Sequence, residues 1–229
     1  SACLVGSEMC IRDRQDTIIF KFNKKEGLPI FVFVVGDVSK EEVSIFINGD
    51  FKGFAPPTPP KGWGLPTAFV IDNFLMEENY IAFVNKNKEK GFGVKFAFIE
   101  WIEPAEHDIN KANEYYQLAT RIIKEQGEEG LPDAYLYIKK AIPYILDIIP
   151  KPQIWFSLIE QFENLDQKIS EIFKDNVNRC VAILKTTSDS PGARSKAEKC
   201  FDNIRKYLPK EDYRIKFLDY ELDRLLKIK

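Results

Sequence analysis

The hydrophobic period of this chain changes once, near Pro104, and that change limits its fold more than any motif does. Between Gln15 and Pro104, apolar residues recur at every second position in short runs separated by turn residues. Thirteen of the eighteen Phe fall in this stretch, with ten Lys, twelve Asp+Glu and no Arg. From Ala105 to Lys229 the apolar residues recur at intervals of three and four, and 21 Lys+Arg balance 21 Asp+Glu. A period of two builds sheets and a period near 3.6 builds helices. The expectation is therefore two domains: a β-sandwich at 15–104 and an α-helical domain at 105–229.

Within the first stretch, TIIFKFN (17–23) alternates, with Ile18, Phe20 and Phe22 on one face. LPIFVFVV (28–35) is apolar on both faces and reads as a central strand. VSIFIN (43–48) alternates again, and Asn48-Gly49-Asp50 is a hairpin turn signal, with Phe51–Phe54 as the return strand. TAFVID (67–72), NYIAFVN (79–85) and FGVKFAFIEWI (92–102) bring the total to about seven short strands, the spacing of a sandwich or barrel.

The second stretch predicts an amphipathic helix over Ile109–Gln126. A second helix is expected over Ala134–Ile149, with Asp133 as N-cap and a kink at Pro143. Ile154–Leu165, Asp166–Lys185, Ala193–Leu208 and Glu211–Ile228 carry further helical pattern.

Two resemblances add to this reading. The string IFINGDFKGF, then Trp63, then AFVIDNFLMEENYIAFVNKN resembles the jelly-roll sugar-binding modules of the galactose-binding-like superfamily. Asn48, Gly49, Gly53, Trp63, Phe69, Ile71, Leu75, Asn79, Ile81, Phe83 and Asn87 carry the match; Glu77-Glu78 depart from it, where the family has Gly before the Asn. The resemblance implies a sandwich of jelly-roll type and a sugar ligand. In the helical half, Ala197, Phe201, Ile204 and Pro209 resemble the second helix of a tetratricopeptide unit, and Ala134, Ile138 and Ala141 fit the same frame. That implies a repeat-like domain; an unrelated bundle accounts for the spacing equally well. Residues 1–14 follow neither period. VGSEMCIRDR within them resembles translated sequencing-adapter read-through, so the segment is set aside, and with it Cys3 and Cys10.

Composition narrows the function. A net charge of −2 argues against general nucleic-acid binding. The single His, His107, cannot build a usual zinc site and leaves little room for His-based catalysis. No phosphate-cradling GxxxxGK[ST] loop occurs, and no run is apolar enough to span a membrane. Glu77/Glu78 and Glu100/Glu103 do not have the spacing of facing carboxylates. Neither a catalytic residue, a metal ligand nor a cofactor is expected.

The Pro-rich loop Ala55–Pro66 is the most site-like segment. Trp63 lies there between two Gly, and Lys61 precedes it; with Asn48 they form the expected ligand-binding set. Cys180 and Cys200 lie ten residues either side of Ser190, in the turn TTSDSPG. An antiparallel hairpin would bring them level, as a disulfide suited to an extracytoplasmic compartment or as two buried free thiols. The expected role is non-enzymatic: a sandwich recognising a glycan or cell-wall component, and a helical domain meeting a protein partner. The alternatives are an accessory fragment of a carbohydrate-active hydrolase and a structural assembly subunit.

Overall fold

The structure is a computed structural model. It describes residues 11–13, 16–71, 75–87, 89–186 and 192–227. Cys3, Cys10, Asp72 and the turn at 187–191 lie outside them. The chain divides into two compact units, Ser1–Glu103 and Pro104–Lys229.

The first unit holds eight strands: β1 (Ile11–Asp13), β2 (Thr17–Asn23), β3 (Leu28–Gly36), β4 (Val43–Ile47), β5 (Asp50–Phe54), β6 (Thr67–Val70), β7 (Glu78–Asn85) and β8 (Phe92–Ile102). They form two antiparallel four-stranded sheets, ordered β1-β8-β3-β6 and β2-β7-β4-β5. Apart from the β4–β5 hairpin, each strand crosses to the other sheet, which is the jelly-roll arrangement. The expected central strand is central, with β8 and β6 on its two sides. β1 comes from the segment set aside above; its three residues pair with Phe92–Val94 along the open side of β8.

The core follows from the alternation. Ile18 and Phe22 of β2, Phe31, Phe33 and Val35 of β3, Val43, Ile45 and Ile47 of β4, and Ile81 and Phe83 of β7 all point between the sheets. Aromatic edges meet faces there: Phe33 and Phe83 stand 5.1 Å apart at 67°. One bulge breaks the alternation in β8. Val32 pairs with Phe98 but Val34 pairs with Lys95, so two residues of β8 oppose Phe33. Phe96 takes the left-handed backbone there, with φ 52°. The extra residue reverses the parity of β8. Phe92 and Val94 face the core before it; Ala97, Ile99 and Trp101 face it afterwards.

The second unit contains α1 (Ile109–Gln126), α2 (Leu131–Ala141), α3 (Gln153–Thr186), α4 (Ala193–Tyr207) and α5 (Tyr213–Lys227). Asp108 caps α1 by accepting from the Lys111 amide at 3.0 Å. Three expectations need correction. The second helix starts at Leu131, so Asp133 sits in its first turn. It ends at Ala141 instead of kinking, because Pro143 lacks an amide and the chain passes into a 3₁₀ turn at Ile142–Tyr144. The two patterns at 154–165 and 166–185 are one unbroken helix, α3. Leu158, Phe162, Leu165, Ile169 and Phe173 form a single buried stripe across the expected break, and neither Gly nor Pro interrupts it.

Candidate binding surface

The β4–β5 hairpin carries a second bulge, and this one bears on function. Asn48 and Gly49 both have positive φ (51° and 96°), so the expected hairpin turns on these two residues while Asp50 already pairs with Ile47. Ile47 pairs with Asp50 and Phe46 with Phe51, but Ile45 then pairs with Gly53, leaving Lys52 as an extra residue. Gly53 takes φ 143°, a conformation that side chains rarely allow. In a regular ladder Phe54 would oppose Val43 and point into the core. The bulge instead sets Phe54 opposite Ser44 on the outward face, and Ala55 bonds back to Val43.

Phe51 and Phe54 therefore stand side by side on the outside, their rings 5.2 Å apart, and Phe46 packs against Phe51 at 5.7 Å. Phe51 is 54% exposed and Phe54 40%. Turning a Phe outward gives up about 2 kcal/mol of burial. The Lys86 ammonium lies 4.3 Å from the Phe54 ring centroid. The register continues across the sheet: Phe46 pairs with Ala82, and Ala82 with Ile19, which is 46% exposed. Between the Phe cluster and Ile19 the small, buried Ser44 and Ala82 alternate with Phe46 and Val84.

The residues singled out by sequence are not brought together. Trp63 pairs with Gly36 at the end of β3, so its ring lies on the outward face of the other sheet. It covers Gly36 and lies 4.8 Å from the ammonium of Lys95, which is only 3% exposed. Backbone bonds from Thr58 to Val38, Asp37 to Gly62 and Gly64 to Val35 fasten this loop along residues 35–38. Trp63 is half-buried and Lys61 is exposed.

Asn48 sits at the opposite end of the sandwich, because β4 runs away from the Gly36 end. Its amide group is committed there: Nδ2 donates to Asn79 Oδ1 and Oδ1 accepts from the Tyr80 amide, both at 2.9 Å. These bonds tie the hairpin to β7, so Asn48 is a structural residue rather than a partner of Trp63 and Lys61. The aromatic cluster went unnoticed in sequence, because a regular alternation from Phe51 sends Phe54 inward.

In the helical unit, Cys180 of α3 and Cys200 of α4 form a disulfide with Cα atoms 5.5 Å apart. A buried polar cluster ties α5 to α3. The fully buried Arg214 bonds Asp166, Asp212 and Ser170, and the Tyr213 hydroxyl donates to Asp166. Burial pushes the Tyr135 and Tyr213 phenols well above their usual range. Burial also raises the Asp166 carboxyl, against the pull of Arg214. Burial opposes the Arg214 charge, but Tyr213, Asp166 and Asp212 outweigh it and raise its pKa. With every buried polar side chain among the described residues satisfied, this cluster reads as a fastening of the fold. His107 is exposed before α1. Among the described residues, no group of three or more His, Cys, Asp or Glu could hold a metal ion, and no helix is long and apolar enough to cross a membrane. No protein-family model matches the chain, and no curated protein matches it.

Proposed function

We propose that this protein is a non-enzymatic recognition module whose β-sandwich binds a glycan, with the helical unit contacting a protein partner. One observation carries the glycan part: the bulge at Lys52, which holds two Phe side chains outward on one face where a regular strand would bury one. Exposed aromatic rings beside polar groups suit the apolar faces of pyranose rings, and bulges commonly re-aim side chains at sheet edges. The jelly-roll strand order and the resemblance of residues 45–87 to galactose-binding-like modules support the same reading. In the helical unit, Ala134, Ile138, Ala141, Ala197, Phe201 and Ile204, which resemble tetratricopeptide positions, are all buried between helices.

The test is depletion of the protein from solution by a panel of insoluble and gel-embedded polysaccharides, neutral and acidic. Binding to at least one, abolished by Phe51→Ala/Phe54→Ala, is expected. Wild-type protein that binds none of them would remove the glycan reading.

A further inference from the structure

We infer that the glycan taken by the β2-β7-β4-β5 face is anionic, a chain bearing uronic-acid carboxylates; this rests on the glycan reading above. The first argument is charge. Of the outward positions on these four strands, Lys21 is cationic and exposed beside Ile19, and Glu78, far along β7 opposite Asn23, is the acid. Lys86 follows β7 with its ammonium over the Phe54 ring. Glu42, which precedes β4 at that end, is buried and lies 3.2 Å from Lys90, so its charge is answered inside the turn. Asp50 is exposed, but it opposes Ile47 at the hairpin tip, at the other end of β5 from Phe54. The outward face thus sets a cation over the Phe54 ring and Lys21 beside Ile19.

The second argument is the order of side chains. Phe51, Phe54 and Ile19 are exposed, and the small Ser44 and Ala82 lie buried between them. A pyranose ring can lay its C–H face on Phe51 and Phe54 while a carboxylate on the same sugar meets Lys86. A second copy of this chain suits the face less well. A two-fold pairing would bring the face against itself and set its lysines against each other. Strand addition along β5 is also opposed, since a bulge and a lysine both discourage edge pairing.

The experiment uses the full chain with polygalacturonate and with its methyl-esterified form, the same backbone with its charge removed. Binding is followed by calorimetry at low and at physiological salt. Polygalacturonate is expected to bind about tenfold more tightly than the ester, with the advantage shrinking as salt rises. Lys86→Gln should reduce that preference about threefold. Phe51→Ala/Phe54→Ala should weaken both ligands, with circular dichroism and Tm showing the fold intact. Equal binding of ester and acid overturns the anionic inference and leaves the glycan reading standing. Binding neither of these nor any other polysaccharide of the panel overturns both. Polyglutamate bound as tightly as polygalacturonate, or a concentration-dependent dimer abolished by Phe51→Ala, also overturns the inference.

Discussion

The indole of Trp63 lies so close on Gly36 that a Cβ at residue 36 would stand 2.8 Å from ring atoms Cδ2 and Cε3. These are atoms of the ring body, so the ring or the backbone must move to admit a methyl group. Gly36→Ala should destabilise the sandwich by about 1–3 kcal/mol. Trp63→Ala should cost about 2 kcal/mol, uncovering Gly36 and the buried Lys95. The two should not add. In the Trp63→Ala background, Gly36→Ala should become nearly neutral, and a urea-denaturation double-mutant cycle measures this. Additive losses would mean that the close approach is not what Gly36 serves.

The outward Phe residues should matter little for stability. Phe51→Ser and Phe54→Ser should each cost about 1 kcal/mol or less, mostly the ring–ring contact, while Phe33→Ala in the core costs about 3–5. Thermal unfolding of the three variants makes the comparison. A loss at Phe54 as large as that at Phe33 would mean that its ring is core.

These two positions show what the sequence makes legible. The alternation in 17–23, 43–47 and 79–85 specifies strand faces, because each step of one residue reverses the side. A bulge defeats that logic. Nothing in DFKGF marks Lys52 as the extra residue except Gly53, whose backbone permits the bend. Phe96 is harder still, a bulky side chain at positive φ inside an apolar run. Asn48 was legible as a turn residue, and that role consumes the polar atoms offered to a ligand. The single helix α3 was also within reach, since Leu158, Phe162, Leu165, Ile169 and Phe173 keep one stripe. The arrangement of Phe46, Phe51 and Phe54 was not, because it depends on register across two strands.

Arg214 and Arg205 offer a contrast within the helical unit. Arg214 is fully buried against Asp166 and Asp212, whereas Arg205 bridges Asp202 and Asp219 at the surface. Removing a buried partner strands the opposite charges, so Arg214→Leu should cost about 3–5 kcal/mol. Arg205→Ala should cost less than about 1 kcal/mol, since water already screens that pair. Similar losses from the two variants, measured by chemical denaturation, would contradict the difference in burial.

The Cys180–Cys200 disulfide closes a loop spanning 20 positions between α3 and α4. Restricting the unfolded chain over such a loop is worth about 3 kcal/mol. Dithiothreitol should therefore lower the Tm of the wild type and leave that of Cys180→Ala/Cys200→Ala unchanged. Mass spectrometry of non-reduced peptides should find the two cysteines linked. An unaltered wild-type Tm after complete reduction would show that helix packing alone holds this hairpin.

Glu42 sets an acid limit on the sandwich. Its Oε2 accepts from the Ser39 amide at 2.5 Å and lies 3.2 Å from Lys90 Nζ. Burial alone would raise its pKa, but the Ser39 amide and Lys90 outweigh burial and hold the carboxyl below 4.5. A carboxyl lowered in the folded state binds its proton more readily when unfolded. Its contribution is then complete above the unfolded pKa and is lost as pH falls through the folded one. Glu42→Gln still offers Ser39 an acceptor but does not titrate in this range. Wild type should be the more stable protein near neutral pH, and the gap should close on acidification below about pH 4.5. Tm measured from pH 7 down to pH 3 follows that gap; a constant difference would show that Glu42 acts through shape and not through charge.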